Sequence, residues 1–387
     1  MRRTTSTFLL AAGHACVDVY QGSVAALVPF FVAERAYTYA AVSGLVLAAS
    51  LLSSVVQPLF GALADRYSMP WLIPASTVLS GVGIAVSGLT GSYALTLAGI
   101  AVSGIGVAAY HPESARIARA AGEGSHRAMA YFSTGGNVGF ALAPFLVAVA
   151  IGTGGLRWTP VLVLPALVGA VLALPVLRAL HRKSDATTPP RGPARQNDTS
   201  SFVTLAVAMA FRSIAFVGLS AFLSLFATQR LGGTAGTIAL FVLYSGGIVG
   251  SALGGSLAAR WGRVVVCRWS YALSAVAIAG VVWVPGPFLY LFVALTSVGL
   301  YVPFSLQVTL GQDYLPTRVG TASGVTLGLT VSVGGLASPV IGSVADATSL
   351  HTALAPLVAM PLLSWLLLRR LREPEQSPAA VAGADRA

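Results

Sequence analysis

The chain has 387 residues, of which 56% are hydrophobic and 9% are charged, whereas a soluble domain carries about 25% charged residues. Its net charge is +11 and its mean hydropathy is +0.80. These values exclude an ordinary soluble domain. Because the apolar residues form continuous runs, such as Trp71 to Ala109, rather than alternating with polar ones, they predict membrane-spanning helices and not a barrel.

Twelve apolar segments are long enough to cross a bilayer as helices. The breaks between them are charged or turn-forming, as at Glu34-Arg35 and Pro285-Gly286-Pro287. In chain order, the predicted spans cover residues 8–33, 39–64, 70–89, 92–112, 126–151, 158–179, 201–228, 235–259, 264–284, 287–310, 319–343 and 350–371. We therefore expect an all-α membrane protein with twelve transmembrane helices.

The longest polar stretch covers residues 181–200 and is rich in Pro, Arg, Thr, Asp and Asn, which is typical of a flexible linker. It divides the chain into an N-terminal six-helix bundle (1–180) and a C-terminal six-helix bundle (201–372), followed by a tail (373–387). With the N-terminus in the cytoplasm, 19 of the 23 Lys and Arg residues fall at cytoplasmic helix ends. This asymmetry predicts cytoplasmic termini, linker and tail in a multi-pass protein of the inner membrane. The excess of basic residues thus reflects membrane topology and gives no reason to expect a nucleic-acid partner.

The two halves share an internal repeat. "GALADRY" (61–67) and "GSLAARW" (255–261) each follow the second span of a half, 194 residues apart. The same offset relates Asp18 in span one to Arg212 in span seven, and an offset of 195 relates Pro144 to Pro339. Parallel six-helix repeats around a central cavity are a transporter architecture, in which both charges could face the cavity rather than lipid.

Asp18 shares one helix face with His14 and Gln21, because the three residues are spaced i, i+4 and i+7. A carboxylate at mid-membrane costs about 2.5–3.5 kcal/mol, so this face predicts a water-accessible pathway. The alternative is a fixed Asp18–Arg212 ion pair that only holds the halves together. Cys16 and Cys267 have no metal or redox spacing, and the chain has no phosphate-binding loop, HExxH or nucleophile elbow, so no cofactor, metal or enzymatic activity is expected.

The sequence around 61–67 resembles the loop signature of the major facilitator superfamily, and the chain is more closely similar to the fosmidomycin resistance family of drug exporters. The resemblance extends over almost the whole chain. Beside His14, Asp18 and Gln21, it is carried by "QPLFGALADRYSMPW" (57–71), "YHPESARIAR" (110–119), "GGNVGFALAP" (135–144), "DYLPTRVGTASG" (313–324) and "GSVADATS" (342–349). The second copy of the loop signature departs from the first, because Ala259 stands where the first has Asp65.

The resemblance implies proton-driven efflux of small molecules by alternating access. In this interpretation Asp65 would accept hydrogen bonds from the start of span eleven and pair with an arginine such as Arg116 when the inner side is shut. The alternative is that Asp65 has no gating role and is only a charge on the cytoplasmic loop. The glycine-rich 135–144 segment would pack span five against span eight, which fits an antiporter. The gating residues implied are Gly61, Asp65, Arg66, Arg116, Asn137 and Pro144.

Titratable and polar residues in the spans supply candidates for coupling and recognition. We expect Asp18, His14, His111 and Glu113 to take part in proton coupling, with a polar helix end as the alternative for the last two. Arg212 would attract an anion. The other candidates for substrate binding are Gln21, Tyr244, Tyr301 and Gln307.

The resulting hypothesis is a monomeric, proton-coupled antiporter that exports small polar or anionic compounds, including antibiotics, through the bilayer. A proton symporter that imports a small anionic metabolite has the same fold and remains open. A receptor or scaffold that transports nothing is the alternative of another class, although it would leave Asp18 and Arg212 without a role.

Overall fold

The structure is a computed structural model that describes residues 3–122, 126–152, 154–180 and 196–374. These residues form thirteen α-helices joined by short turns. Most of the predicted linker (181–195) and of the tail (375–387) lies outside the described residues. The helices are α1 Arg3–Arg35, α2 Tyr39–Arg66, α3 Leu72–Ser87, α4 Tyr93–Ala121, α5 His126–Ile151, α6 Leu164–Leu180, α7 Thr199–Leu231, α8 Ala235–Trp261, α9 Arg263–Trp283, α10 Phe288–Tyr314, α11 Val319–Ala347, α12 Leu350–Leu354 and α13 Ala359–Leu368.

A helix stands at each of the twelve predicted positions. A 3₁₀ segment, Leu156–Val163, leads into α6, and another, Ala355–Val358, joins α12 to α13, so that each combination occupies one predicted span. Among the described residues, nine helical stretches are long and apolar enough to cross a membrane. A tenth is α8, whose segments Ala235–Gly250 and Ala252–Trp261 meet at 49°. The helix Leu72–Ser87 is apolar but shorter.

Many large apolar side chains point outwards, as expected for surfaces that face lipid. Val149 and Val276 are exposed, for example, and lie within predicted spans. Exposed tryptophans such as Trp71, Trp261 and Trp283 lie at helix ends, where the amphipathic indole suits the membrane interface. The composition and the exposed surface thus agree on a multi-pass membrane protein.

We call the side where α1 begins the near face and the side where it ends the far face; the sequence predicts that the near face is cytoplasmic. Helices α1–α6 pack mainly on one another, as do α7–α13. The two halves meet chiefly along two helix pairs, α2 with α11 and α5 with α8. Asp18 and Arg212, on the first helix of each half, both lie in the middle of their helices.

Candidate functional site

Asp18 lies between two histidines at the meeting point of α1 and α4. Its Oδ2 is 3.3 Å from Nε2 of His14, one turn earlier on α1, and its Oδ1 is 3.3 Å from Nε2 of His111 on α4. The two Nε2 atoms are 3.4 Å apart. The sequence placed His14 and Asp18 on one face, and the structure adds His111 to it. We call these three side chains the Asp18 triad.

Hydrogen bonds on the opposite ring nitrogens fix the tautomers of both histidines. Nδ1 of His14 lies 2.8 Å from the carbonyl oxygen of Phe132, and Nδ1 of His111 lies 2.7 Å from that of Val107. A carbonyl oxygen can only accept, so both Nδ1 atoms carry a hydrogen. When the rings are neutral, each Nε2 is therefore an acceptor that faces the Asp18 carboxylate, itself an acceptor. These atoms lie within 4.8 Å of one another, so an extra proton or another small cation could bind between them.

Helix α5 provides the space and the backing for the Asp18 triad. The Phe132 ring stacks on His14 with 4.2 Å between centroids. One turn later, a Cβ at Gly136 would lie 2.5 Å from Asp18 Oδ2 and 2.7 Å from His14 Nε2. Glycine at 136 thus leaves room for the triad, and a larger residue would displace the side chains of Asp18 and His14. The side chain of Asp18 is 14% exposed and that of His111 is 25% exposed, but His14 and the Oδ1 atom of Asp18 are buried, so the triad is largely sheltered from water.

Arg212, the counterpart of Asp18 in the repeat, is more completely enclosed. The residue is 2% exposed, and its Nη1 donates to the carbonyl oxygen of Leu300 at 3.0 Å. Its guanidinium lies over the rings of Phe216 and Phe304, at 5.9 and 5.6 Å from their centroids. Its Nε has no hydrogen-bond partner within the part of the chain that the structure describes. No ion pair joins it to Asp18 among the described residues, so the alternative of a fixed Asp18–Arg212 pair does not describe this conformation.

A small cavity of about 80 Å³ lies between the halves; Gln21, one turn after Asp18 on α1, lines it, whereas the three side chains of the Asp18 triad do not. Two of the candidates for substrate binding, Gln21 and Tyr244, line the cavity, and Phe216 lies between it and Arg212. Sites for drug-sized ligands usually measure about 300–1,000 Å³, so this cavity is too small for such a ligand in this conformation. Its lining is mostly apolar with a few hydroxyl groups, and consists of Tyr20, Gln21, Val24, Ala25, Val46, Ala49, Ser50, Ser103, Gly104, Val107, Phe140, Phe216, Val217, Ser220 and Tyr244.

Two further substrate candidates lie in the C-terminal half. Tyr301 packs edge-on against Phe216 with 5.2 Å between ring centroids. Gln307 is fully buried and donates to the hydroxyl of Tyr271 at 2.6 Å. Neither residue lines the cavity in this conformation, and Tyr301 is only half-buried.

Glu113 is fully buried and forms an ion pair with Arg116, whose Nε donates to it at 2.9 Å. Arg116 also donates to the hydroxyl of Ser68 in the turn between α2 and α3, at 3.0 Å. The structure thus separates Glu113 from the Asp18 triad and gives it a partner that sequence reasoning had assigned to Asp65. The side chain of Asp65 lies outside the described part, so its gating role remains a prediction.

The other gating candidates are spread over both ends of the contact between halves. A Cβ at Gly61 would meet no described atom within 4 Å, so no close helix contact explains this glycine here. Arg66 is exposed and lies over the ring of Tyr67. Asn137 on α5 donates to the carbonyl oxygen of Gly247 on α8 at 3.1 Å, and Pro144 lies within α5 two turns further on.

The sequence predicts that the glycines of α5 pack against α8, but two of them, Gly135 and Gly139, pack against α1. Cβ atoms at Gly135 and Gly139 would collide with the carbonyl oxygens of Ala11 and Ala15, so these glycines let α5 approach α1. Residues 135 and 139 are four apart and share a helix face, whereas Asn137 points to the other side and meets α8. On α8, Gly246, Gly250 and Gly254 lie against α10, whereas Gly247 lies against Asn137 of α5, where the predicted packing of span five on span eight is present.

Comparisons with known proteins agree with this architecture. The profile of the Major Facilitator Superfamily matches residues 10–339. The chain belongs to the Major Facilitator Superfamily. It is therefore a secondary transporter of small molecules and not an enzyme. It is similar to the fosmidomycin resistance protein of Escherichia coli (strain K12), with 29% identity over 93% of this chain and 91% of that protein. It is also 27% identical to the uncharacterized MFS-type transporter YfnC of Bacillus subtilis (strain 168), over 91% of this chain and 89% of that one.

Solved structures of two other transporters show the same fold at low sequence identity. A bacterial homologue of the human lysosomal transporter Spinster, in an inward-facing and occupied conformation, has a TM-score of 0.78 at 16% identity, covering 96% of this chain and 98% of that one. The nucleoside transporter NupG has a TM-score of 0.73 at 14% identity, covering 96% of this chain and all of NupG. These similarities establish the fold and leave the substrate open.

Proposed function

We propose that this superfamily member exports small anionic compounds of the fosmidomycin type in exchange for protons. The observation that carries the proposal is the Asp18 triad, in which a carboxylate and two imidazole nitrogens converge as acceptors at mid-membrane. Histidine is the side chain that normally titrates between about pH 5 and 8. A proton taken up here therefore changes the charge of the centre without any change of fold.

Arg212 supplies the complementary preference for an anion. Its charge is fixed, and its remaining donor capacity is unused in this conformation, because only Nη1 has a described acceptor. Movement of Phe216 would open the guanidinium to the cavity, where a phosphonate or carboxylate could bind two N–H groups at once. The similarity to the fosmidomycin resistance protein supports this substrate class.

We place the near face in the cytoplasm of a bacterial cell, in agreement with the distribution of Lys and Arg. At the far face, Asp346 of α11 accepts hydrogen bonds from the backbone of Tyr39 and Ala40 at the start of α2, so this conformation would be one that is closed to the outside. Substrate would enter from the cytoplasm, and protons from outside would reset the Asp18 triad after release.

Flux through the purified protein in liposomes tests the proposal. Liposomes preloaded with fosmidomycin should lose it faster when the outer pH is lowered than when the pH is equal on both sides. Accumulation of external fosmidomycin under the same gradient would instead establish the symporter, and absence of both fluxes would exclude fosmidomycin as a substrate. Repeating the assay with EDTA separates a proton from a metal cation as the coupling ion, since only metal-dependent flux would be lost.

Drug susceptibility tests the same proposal in cells. Cells that carry the gene should tolerate more fosmidomycin than cells without it. The difference should disappear when Asp18 is replaced by Asn, provided that the variant reaches the membrane in equal amounts.

A further inference from the structure

Helices α2 and α11 end on the same short pattern. Residues 61–65 read Gly-Ala-Leu-Ala-Asp and residues 342–346 read Gly-Ser-Val-Ala-Asp, and in both cases the aspartate is the last residue but one of its helix. The two helices run in opposite directions, so Asp65 lies at the near face and Asp346 at the far face. A carboxylate in the last turn of a helix is unfavourable, because that end of the helix dipole is negative. Such a carboxylate is stabilised when groups on another helix donate hydrogen bonds to it.

Asp346 has that partner in the opposite half of the protein. Its Oδ1 accepts from the backbone N–H of Tyr39, and its Oδ2 accepts from that of Ala40, each at 2.8 Å. These are the first two residues of α2, so one carboxylate binds the positive end of the α2 dipole in two places. The third N–H, from Ala41, goes to the hydroxyl of Thr38 within the same half.

The backbones of the two helices touch around this contact. A Cβ at Gly342 would lie 2.6 Å from the carbonyl oxygen of Tyr39, so only glycine permits the approach of α11 to α2. Gln229 of α7 donates to the hydroxyl of Tyr39 at 3.0 Å, and Phe222 of α7 lies edge-on to the Tyr39 ring. The start of α2 is therefore held by three residues of the other half.

These contacts join parts that must separate when the far face opens. Opening would leave the N–H groups of Tyr39 and Ala40 to water and return Asp346 to the unfavourable end of its own helix. We propose that Asp346 is a far-face latch, which stabilises the conformation closed at that face, and that it is the counterpart of the gate predicted at Asp65. The proposal rests on the alternating access of the proposed function, but it involves neither the substrate nor the proton.

Distances between spin labels test the latch without substrate or pH gradient, so its failure would leave the coupling mechanism untouched. Labels are placed at Ser92 and Thr234, exposed far-face positions in different halves, after Cys16 and Cys267 have been replaced by serine. Asp346→Ala should raise the far-face-open population roughly fivefold to tenfold, and Asp346→Asn, which keeps one acceptor oxygen, should raise it less.

Glu34→Gln is the matched control, because Glu34 also binds a backbone N–H at the far face, that of Leu156, but within its own half. It should leave the distance distribution unchanged. An unchanged distribution in Asp346→Ala, or an equal shift in Glu34→Gln, would overturn the proposal. If Asp346→Ala does not fold, Asp346→Asn decides in the same way, since it preserves the size of the side chain.

Discussion

The two halves of this transporter place opposite charges at equivalent positions and surround them differently. Asp18 meets two histidines and remains partly exposed, whereas Arg212 is enclosed by aromatic rings and a backbone carbonyl group. A group that exchanges protons needs access to water and partners that titrate. A group that attracts an anion needs a fixed charge in a dry environment, where electrostatic interactions are stronger. The repeat therefore places a charge at the same position in each half, and the different surroundings fit the two different roles proposed for Asp18 and Arg212.

Replacement of Arg212 should have the largest effect on substrate affinity. Arg212→Ala removes the fixed charge, so the affinity for fosmidomycin measured by calorimetry should fall at least about tenfold. Arg212→Lys should restore part of it, because an ammonium group cannot reproduce the planar fork of guanidinium.

Arg230 is the matched control for this change. It lies on the same helix, donates to the backbone of Val281 and Val284, and also covers a phenylalanine ring, that of Phe226. Arg230→Ala should lower the melting temperature but leave affinity intact. Equal losses of affinity in both variants would reduce Arg212 to a structural role.

Replacement of His111 should have a smaller effect, confined to coupling. His111→Gln removes one titrating partner of Asp18 and leaves His14, so gradient-driven flux should fall about tenfold with a changed pH profile, whereas affinity should be retained. His351→Gln, at the start of the last span and far from the cavity, is the control. A wild-type pH profile in His111→Gln would remove it from the coupling site.

Replacement of Gly136 should have a moderate effect on gradient-driven flux, through steric contact alone. In Gly136→Ala the new methyl group would press on Asp18 and His14, so we expect gradient-driven flux to fall several-fold. Gly255→Ala provides the comparison, because a Cβ there meets no described atom within 4 Å. Equal fluxes in the two variants would show that the triad tolerates displacement.

Glu113 should show the smallest effect on coupling. Its carboxylate is engaged by Arg116, so Glu113→Gln should lower the melting temperature while the ratio of gradient-driven to exchange flux stays at the wild-type value. A lower ratio in Glu113→Gln would instead show that Glu113 takes part in proton coupling.

Much of the fold could be predicted from the sequence, because continuous apolar runs and breaks mark helices regardless of tertiary packing. The face shared by His14 and Asp18 followed from helical spacing as well. The approach of His111, the stacking of Phe132 and the space at Gly136 did not follow, since they depend on how α4 and α5 are rotated against α1. The enclosure of Arg212 by Phe216 and Phe304 depends in the same way on packing between α7 and α10.

The single Asp18→Asn substitution tests the central claim, that the Asp18 triad couples transport to protons. Asn is nearly isosteric and accepts hydrogen bonds but cannot titrate, so the protein should fold and exchange fosmidomycin across liposomes with equal pH on both sides. The same protein should show no acceleration of efflux when the outer pH is lowered. Acceleration at the wild-type level in a folded Asp18→Asn protein would contradict the account.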